Sequence, residues 1–226
     1  MTSHAATGAE TIALPRVHGM DQTPSLGVSW NKLMIWLFLL QDAMTFIGLL
    51  AAYAFFRIAA GSDWPDPNTH LGIALTTVMT FVLICSSWTM VKALAGAQRG
   101  DRGMLAKYLG LTVLGGAFFL GCQVYEWSHF FHQGHSVWEH NFWGCFFVLT
   151  GFHGAHVTGG VIWLGLLLLR TKAGKPPRTD HLECAGLYWH LVDLVWVLIF
   201  TFVYLVPTPR SEEHTSELQS LANLVC

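Results

Sequence analysis

The chain has 226 residues, of which 53% are hydrophobic and only 12% charged, with a formal net charge of −2. Soluble domains carry about 25% charged residues, so an ordinary water-soluble globule is excluded and a membrane protein is indicated. The charge balance also lacks the basic footprint of a nucleic-acid-binding protein, and no nucleic-acid partner is expected.

A helix needs about 20 mainly apolar residues to cross hydrocarbon. Five segments meet this requirement, over 31–57, 71–94, 105–126, 142–169 and 184–206. Backbone groups find no water inside lipid, so each span is expected to be helical. The first 29 residues lack a long apolar core, so no signal peptide is expected there. They are read as a cytoplasmic N-terminal segment.

The first span carries Asp42 within LFLLQDAMTF and ends at Arg57. GSDWPDPNTH at 61–70 breaks the pattern. The second span holds the Ser86–Ser87 pair, and AGAQRGDRG at 95–103 follows it. The third span closes on Glu126 in GCQVYEW. The connection HFFHQGHSVWEHN at 129–141 has four histidines, His129, His132, His135 and His140, and no Lys or Arg. It is read as a solvated or interfacial loop within an aromatic belt of Trp127, Phe130, Phe131, Trp138, Phe142 and Trp143, rather than as a metal site. The fourth span contains TGFHGAHVTGG at 150–160, with His153 and His156 among Gly151, Gly154, Gly159 and Gly160. TKAGKPPRTD at 171–180 leads to the fifth span, where GLYWHLVDLVW supplies Tyr188, His190 and Asp193.

Ten of the twelve Lys and Arg flank one side of the five spans, and only Arg57 and Arg210 flank the other. The positive-inside rule then places the N-terminus in the cytoplasm and the C-terminus outside. No fixed-period or inverted repeat is visible, which argues against a secondary transporter. The absence of a charged ring argues against a solute channel. Cys85, Cys122, Cys145, Cys184 and Cys226 form no CxxC pair and are expected as small core residues. The last stretch, RSEEHTSELQSLANLVC at 210–226, reads as the translation of a common sequencing adapter. It is expected to be a non-native read-through tail, leaving 30–209 as the membrane domain.

Ionisable groups within spans are costly, so they face the protein interior and find partners. Asp42, Glu126 and Asp193 and the imidazoles of His153, His156 and His190 are therefore expected to form a buried polar network. His153 and His156, like His190 and Asp193, are three apart and leave their helices on nearly one face. Gly151, Gly154, Gly159 and Gly160 are expected to let helix backbones approach closely. Which carboxylate each imidazole meets stays open. A metal reading needs more ligands at one depth than these spans offer, so no metal site is expected. Arg57, Arg170 and Lys172 at span ends, with Trp189 and Trp196, are expected as lipid contacts.

Five motifs, one per span, carry a family resemblance. They are WLFLLQDAMTF at 36–46, SSWTM at 86–90, QVYEW at 123–127, TGFHGAHVTGG at 150–160 and YWHLVDLVWVLIFTFVYLV at 188–206. Over about 30–207 the chain resembles subunit III of the haem–copper oxidases, the cytochrome c and quinol oxidases, in its five-helix bacterial form. The resemblance implies an all-α integral membrane bundle of five transmembrane helices. It implies no catalytic residue and no redox centre in this chain, with haem and copper in the partner subunits and phospholipid bound in a cleft. It also implies contact with catalytic subunit I, with subunit II and with a small subunit IV, and a supporting role in proton uptake at a bacterial inner membrane. A cytochrome c oxidase is preferred over a quinol oxidase. The accessory subunit of nitric oxide reductase is a further reading, and a standalone His-ligated metal membrane enzyme is the reading from another class. One departure is Gln41–Asp42, where the family often has Ser-Glu; the carboxylate is kept but is one methylene shorter.

Overall fold

The computed structural model describes residues 30–65, 72–134, 138 and 140–206. The N-terminal segment 1–29 and the tail 210–226 lie outside these residues. Five long helices follow in order: α1 (Trp30–Ala60), α2 (Ile73–Gln98), α3 (Arg102–His132), α4 (Asn141–Lys172) and α5 (Thr179–Ile199). A short 3-10 turn, Gly61–Asp63, follows α1. A π-helical turn, Phe200–Leu205, prolongs α5. All five are long and apolar enough to cross a membrane, the fifth span running over Thr179–Leu205. No strand occurs among the described residues.

The helices overrun the apolar windows and absorb residues whose polarity suggested loops. His129 and His132 lie in the last turns of α3, and Arg170 and Lys172 in the last turn of α4. A 31-residue helix measures about 46 Å, close to the thickness of a bilayer with its headgroups. Polar end turns therefore sit where water reaches their carbonyls. Helix starts are capped by side chains. Asp101 Oδ1 accepts the Met104 N–H at 2.9 Å for α3, and His140 Nδ1 accepts the Phe142 N–H at 3.1 Å for α4. The α2–α3 turn closes on Gly100, whose φ of 72° suits a residue without Cβ.

α2 and α3 form the most extensive hairpin, α4 packs on α3, and α5 packs on α2 and α4. α1 leans on α4 and α5 and buries only Leu39, Asp42, Phe46 and Tyr53. The centre is aromatic. Phe46, Phe119, Phe142, Phe146, Trp189, Trp196 and Tyr204 are all enclosed.

Two expectations are corrected by this packing. Trp189 and Trp196 are not lipid contacts; both are fully buried, ten and seventeen residues into α5. Their indole N–H groups donate to Ser86 Oγ at 3.1 Å and Thr80 Oγ1 at 2.9 Å on α2. The α4 glycines make room for side chains rather than for a second backbone. A Cβ at Gly160 would sit 2.9 Å from the Trp189 ring, and one at Gly151 would sit 2.9 Å from the Trp127 ring. Gly154 faces Gln123, and exposed Gly159 has only the Tyr188 hydroxyl nearby. Trp189 is a flat plate held between Gly160 and Gly116, where a Cβ would approach it to 2.5 Å. Close backbone approach occurs instead at Gly96, where a Cβ would lie 2.9 Å from the Leu105 amide nitrogen.

Candidate functional site

The buried ionisable groups fall into three separate clusters, each spanning different helices. The first joins α1 to α4. His156 Nε2 lies 3.0 Å from Asp42 Oδ1. The other ring nitrogen, Nδ1, is 2.7 Å from the carbonyl of Phe152, one turn back on α4. A carbonyl only accepts, so Nδ1 carries a proton. The contact between Nε2 and the carboxyl therefore holds one further proton, on one side or the other. In either arrangement the pair is neutral as a whole, and the proton can pass between the two groups without leaving net charge in the membrane. Tyr188 braces this point by donating to the His156 carbonyl at 2.9 Å. Asp42 Oδ2 is buried without a partner among the described residues.

His153 takes no part in this pairing, contrary to the expectation that both histidines join one network. Neither of its ring nitrogens has a hydrogen-bond partner among the described residues. The ring is wholly enclosed and stacks on Trp196, with centroids 4.9 Å apart and planes at 29°. Phe119 and Phe46 meet it edge-on at 5.6 and 6.2 Å. A charged imidazole without a partner would be very costly there, so His153 serves as a neutral ring.

The second cluster lies toward the His132 end of α3. Glu126 Oε2 accepts from the Tyr204 hydroxyl at 3.1 Å, and Oε1 accepts from Thr76 Oγ1 at 3.2 Å. Glu126 thus meets hydroxyls and not the imidazole that the sequence suggested. The π-helical turn at Phe200–Leu205 carries Tyr204 to this point. At the same end, Arg57 donates to the carbonyls of Val206 at 2.8 Å and Phe202 at 3.4 Å, tying α1 to the end of α5. The third cluster sits between α2 and α5. His190 Nδ1 lies 3.2 Å from Ser87 Oγ, and the Asp193 carboxyl lies beside the same hydroxyl. The expected His190–Asp193 pair therefore meets through Ser87. Near the start of α5, Lys32 forms an ion pair with Glu183 and lies 3.9 Å from Asp180.

Arg170 and Lys172 are exposed at the end of α4. Hydroxyl and aromatic partners were not singled out in the sequence, although Thr76, Thr80 and Tyr204 complete these clusters. Their signal is a polar atom at a buried helix position, which hydropathy averages away. His129 and His132 bond within their own helix end, to Gln133 and to the Ser128 carbonyl. His135 lies outside the described residues. No group of three or more His, Cys, Asp or Glu is placed to hold a metal ion among the described residues. The chemistry these clusters support is hydrogen bonding and proton holding inside the bundle.

The sequence model of the family described as cytochrome c oxidase subunit III matches residues 20–207. A probable cytochrome c oxidase subunit 3 of Nocardia farcinica is 36% identical over 208 residues, covering 91% of this chain and all of that protein. Cytochrome c oxidase subunit 3 of a Synechocystis strain is 39% identical over 173 residues, covering 75% of this chain and 73% of the relative. Quinol oxidase subunit 3 of Bacillus subtilis is 37% identical over 179 residues, covering 78% and 87%.

Proposed function

Because the chain belongs to the cytochrome c oxidase subunit III family of the haem–copper oxidases, we propose that it is the non-catalytic subunit III of a bacterial aerobic oxidase that takes electrons from cytochrome c. The observation that carries the donor is the alignment with the Nocardia protein over the whole of that relative's length, whereas the quinol oxidase relative is matched over 87%. In this reading oxygen reduction takes place at haem and copper in the partner subunits. This chain packs on subunit I, beside subunit II and a small subunit IV, stabilises subunit I and supports its proton uptake.

The neutral Asp42–His156 pair supports the proton role, since it holds a mobile proton at depth. The Lys and Arg distribution supports an N-terminus in the cytoplasm, a C-terminus in the periplasm and residence in the inner membrane. Arg57, Arg170 and Lys172 are proposed lipid-headgroup contacts at the span ends. Residues 1–29 are proposed as a cytoplasmic segment and 210–226 as non-native sequence after the membrane domain 30–209.

The test is purification of the assembled complex through a tag on this chain, followed by oxygen consumption with reduced cytochrome c and with a reduced quinol. Co-purification of a haem-bearing catalytic subunit and turnover on cytochrome c are expected. Turnover on quinol alone overturns the donor. Isolation of this chain with stoichiometric metal of its own overturns the whole reading.

A further inference from the structure

A cavity of about 180 Å3 opens between α3 and α4, toward the His132 end of α3. Leu120, Gln123, Trp127, Gly151, Gly154 and Thr158 are among its walls. Gln123 and Trp127 are four apart and leave α3 on one face. Opposite them, Gly151 and Gly154 offer no side chain. A Cβ at Gly154 would lie 3.2 Å from Gln123 Oε1.

The polarity of this cavity is defined atom by atom. Gln123 is only 6% exposed. Its Nε2 donates to the Thr150 carbonyl at 2.8 Å. Since that carbonyl only accepts, the amide orientation is fixed and Oε1 is turned toward Gly154. Oε1 has no donor, and the Trp127 indole N–H has no acceptor, among the described residues. Thr158 directs its own proton to the Gly154 carbonyl at 2.7 Å. A buried polar group left unpaired costs about 1–3 kcal/mol. Here an orphaned acceptor and an orphaned donor line the same cavity.

A hydroxyl oxygen is the smallest group that answers both, because it donates one hydrogen bond and accepts another. The volume corresponds to about six water molecules at roughly 30 Å3 each, well above a single-water gap. Depth matters as well. Trp127 lies about 7 Å and Gln123 about 14 Å from the His132 end of α3. With a hydrocarbon core of about 30 Å centred on the helix, Trp127 sits at the edge of the core and Gln123 one turn below it. That is where lipid glycerol and headgroup alcohols are found.

We propose that the α3–α4 cavity is a binding site for a hydroxyl group, supplied by a lipid alcohol or by ordered water, which accepts from Trp127 Nε1 and donates to Gln123 Oε1. The test is cryo-electron microscopy of the assembled oxidase in nanodiscs of phosphatidylglycerol and phosphatidylethanolamine, at a resolution that shows ordered water. Wild type, Trp127→Phe and Gly154→Ala are compared. Wild type should show density within hydrogen-bond distance of both atoms. Trp127→Phe removes the donor, and Gly154→Ala moves a methyl toward Oε1; each should abolish or displace that density. Separate compact peaks identify water. Density continuous with an acyl chain, with a matching lipid retained in native mass spectrometry, identifies a lipid alcohol. An empty cavity, a bare acyl chain, a side chain from another subunit, or density unchanged in both variants overturns the proposal.

Discussion

Replacing Asp42 by Leu tests whether the 3.0 Å contact with His156 holds α1 in place. The size of the effect follows from the proton count at the pair. Once the carboxyl is gone, His156 keeps the Nδ1 proton that bonds to Phe152 and becomes a neutral imidazole with a vacant Nε2. No charge is abandoned, so the penalty of about 3–5 kcal/mol for breaking a buried ion pair does not apply. Hydrogen bonds between membrane helices average about 0.6 kcal/mol, with a maximum near 1.7. Asp42 is 7% exposed and His156 17%, so the pair belongs at the upper end, about 1.4 kcal/mol, or tenfold in an opening equilibrium. Cys184 reports that equilibrium. Its thiol is 6% exposed on α5 and close enough to Lys32 of α1 to feel its charge. Thiol labelling of the assembled oxidase, read on the Cys184 peptide by mass spectrometry, should run about tenfold faster in Asp42→Leu. Asp42→Asn should lose much less, because its amide can donate to Nε2. Asp42→Leu combined with His156→Leu should be no faster than the faster single variant. Effects of the two substitutions that multiply would show no coupling, and would refute the contact as a source of stability.

Two further outcomes follow from the other clusters. His153→Phe should leave subunit retention and the metal content of the oxidase unchanged, within about 1 kcal/mol, because the imidazole makes no protein hydrogen bond and is ringed by aromatics; loss of metal in this variant would restore a ligand role. Tyr204→Phe deprives Glu126 of one of its two hydroxyl donors and should cost about 1–2 kcal/mol. Urea or detergent titration of subunit release checks this, and a variant indistinguishable from wild type would mean that water replaces the bond.

The five spans are legible in the sequence because a 20-residue apolar window carries the whole cost of crossing lipid. The residues that break the window, Asp42, Glu126, His156 and Asp193, also announce themselves. Partner choice is not legible, since it depends on angles. His153 and His156 differ by about 60° around α4, enough to turn one toward Asp42 and the other into the aromatic centre. Trp189 and Trp196 were misplaced by a rule for tryptophans at membrane surfaces, whereas both lie well within α5. The π-helical turn at Phe200–Leu205 has no composition signal in FTFVYL, although it delivers Tyr204 to Glu126. The glycines of α4 were flagged correctly as small, but the neighbour that uses the space is chosen by tertiary packing.

The sparse burial of α1 has a mechanical consequence. Lipid gives apolar side chains no reason to prefer protein, so a helix that encloses four residues out of 31 gains little grip from them. Its grip comes from Lys32, Asp42 and Arg57, which reach Glu183, His156 and the Val206 carbonyl. These three points are about 15 and 22 Å apart along the axis and fall within about 80° of one another around it. Points at three heights on one side fix the sliding, tilt and rotation of a rod together, much as three screws fix a rail. The rest of the circumference of α1, including Trp36, Leu40, Met44 and Ile47, is free to be recut for whatever it faces without loosening the mount.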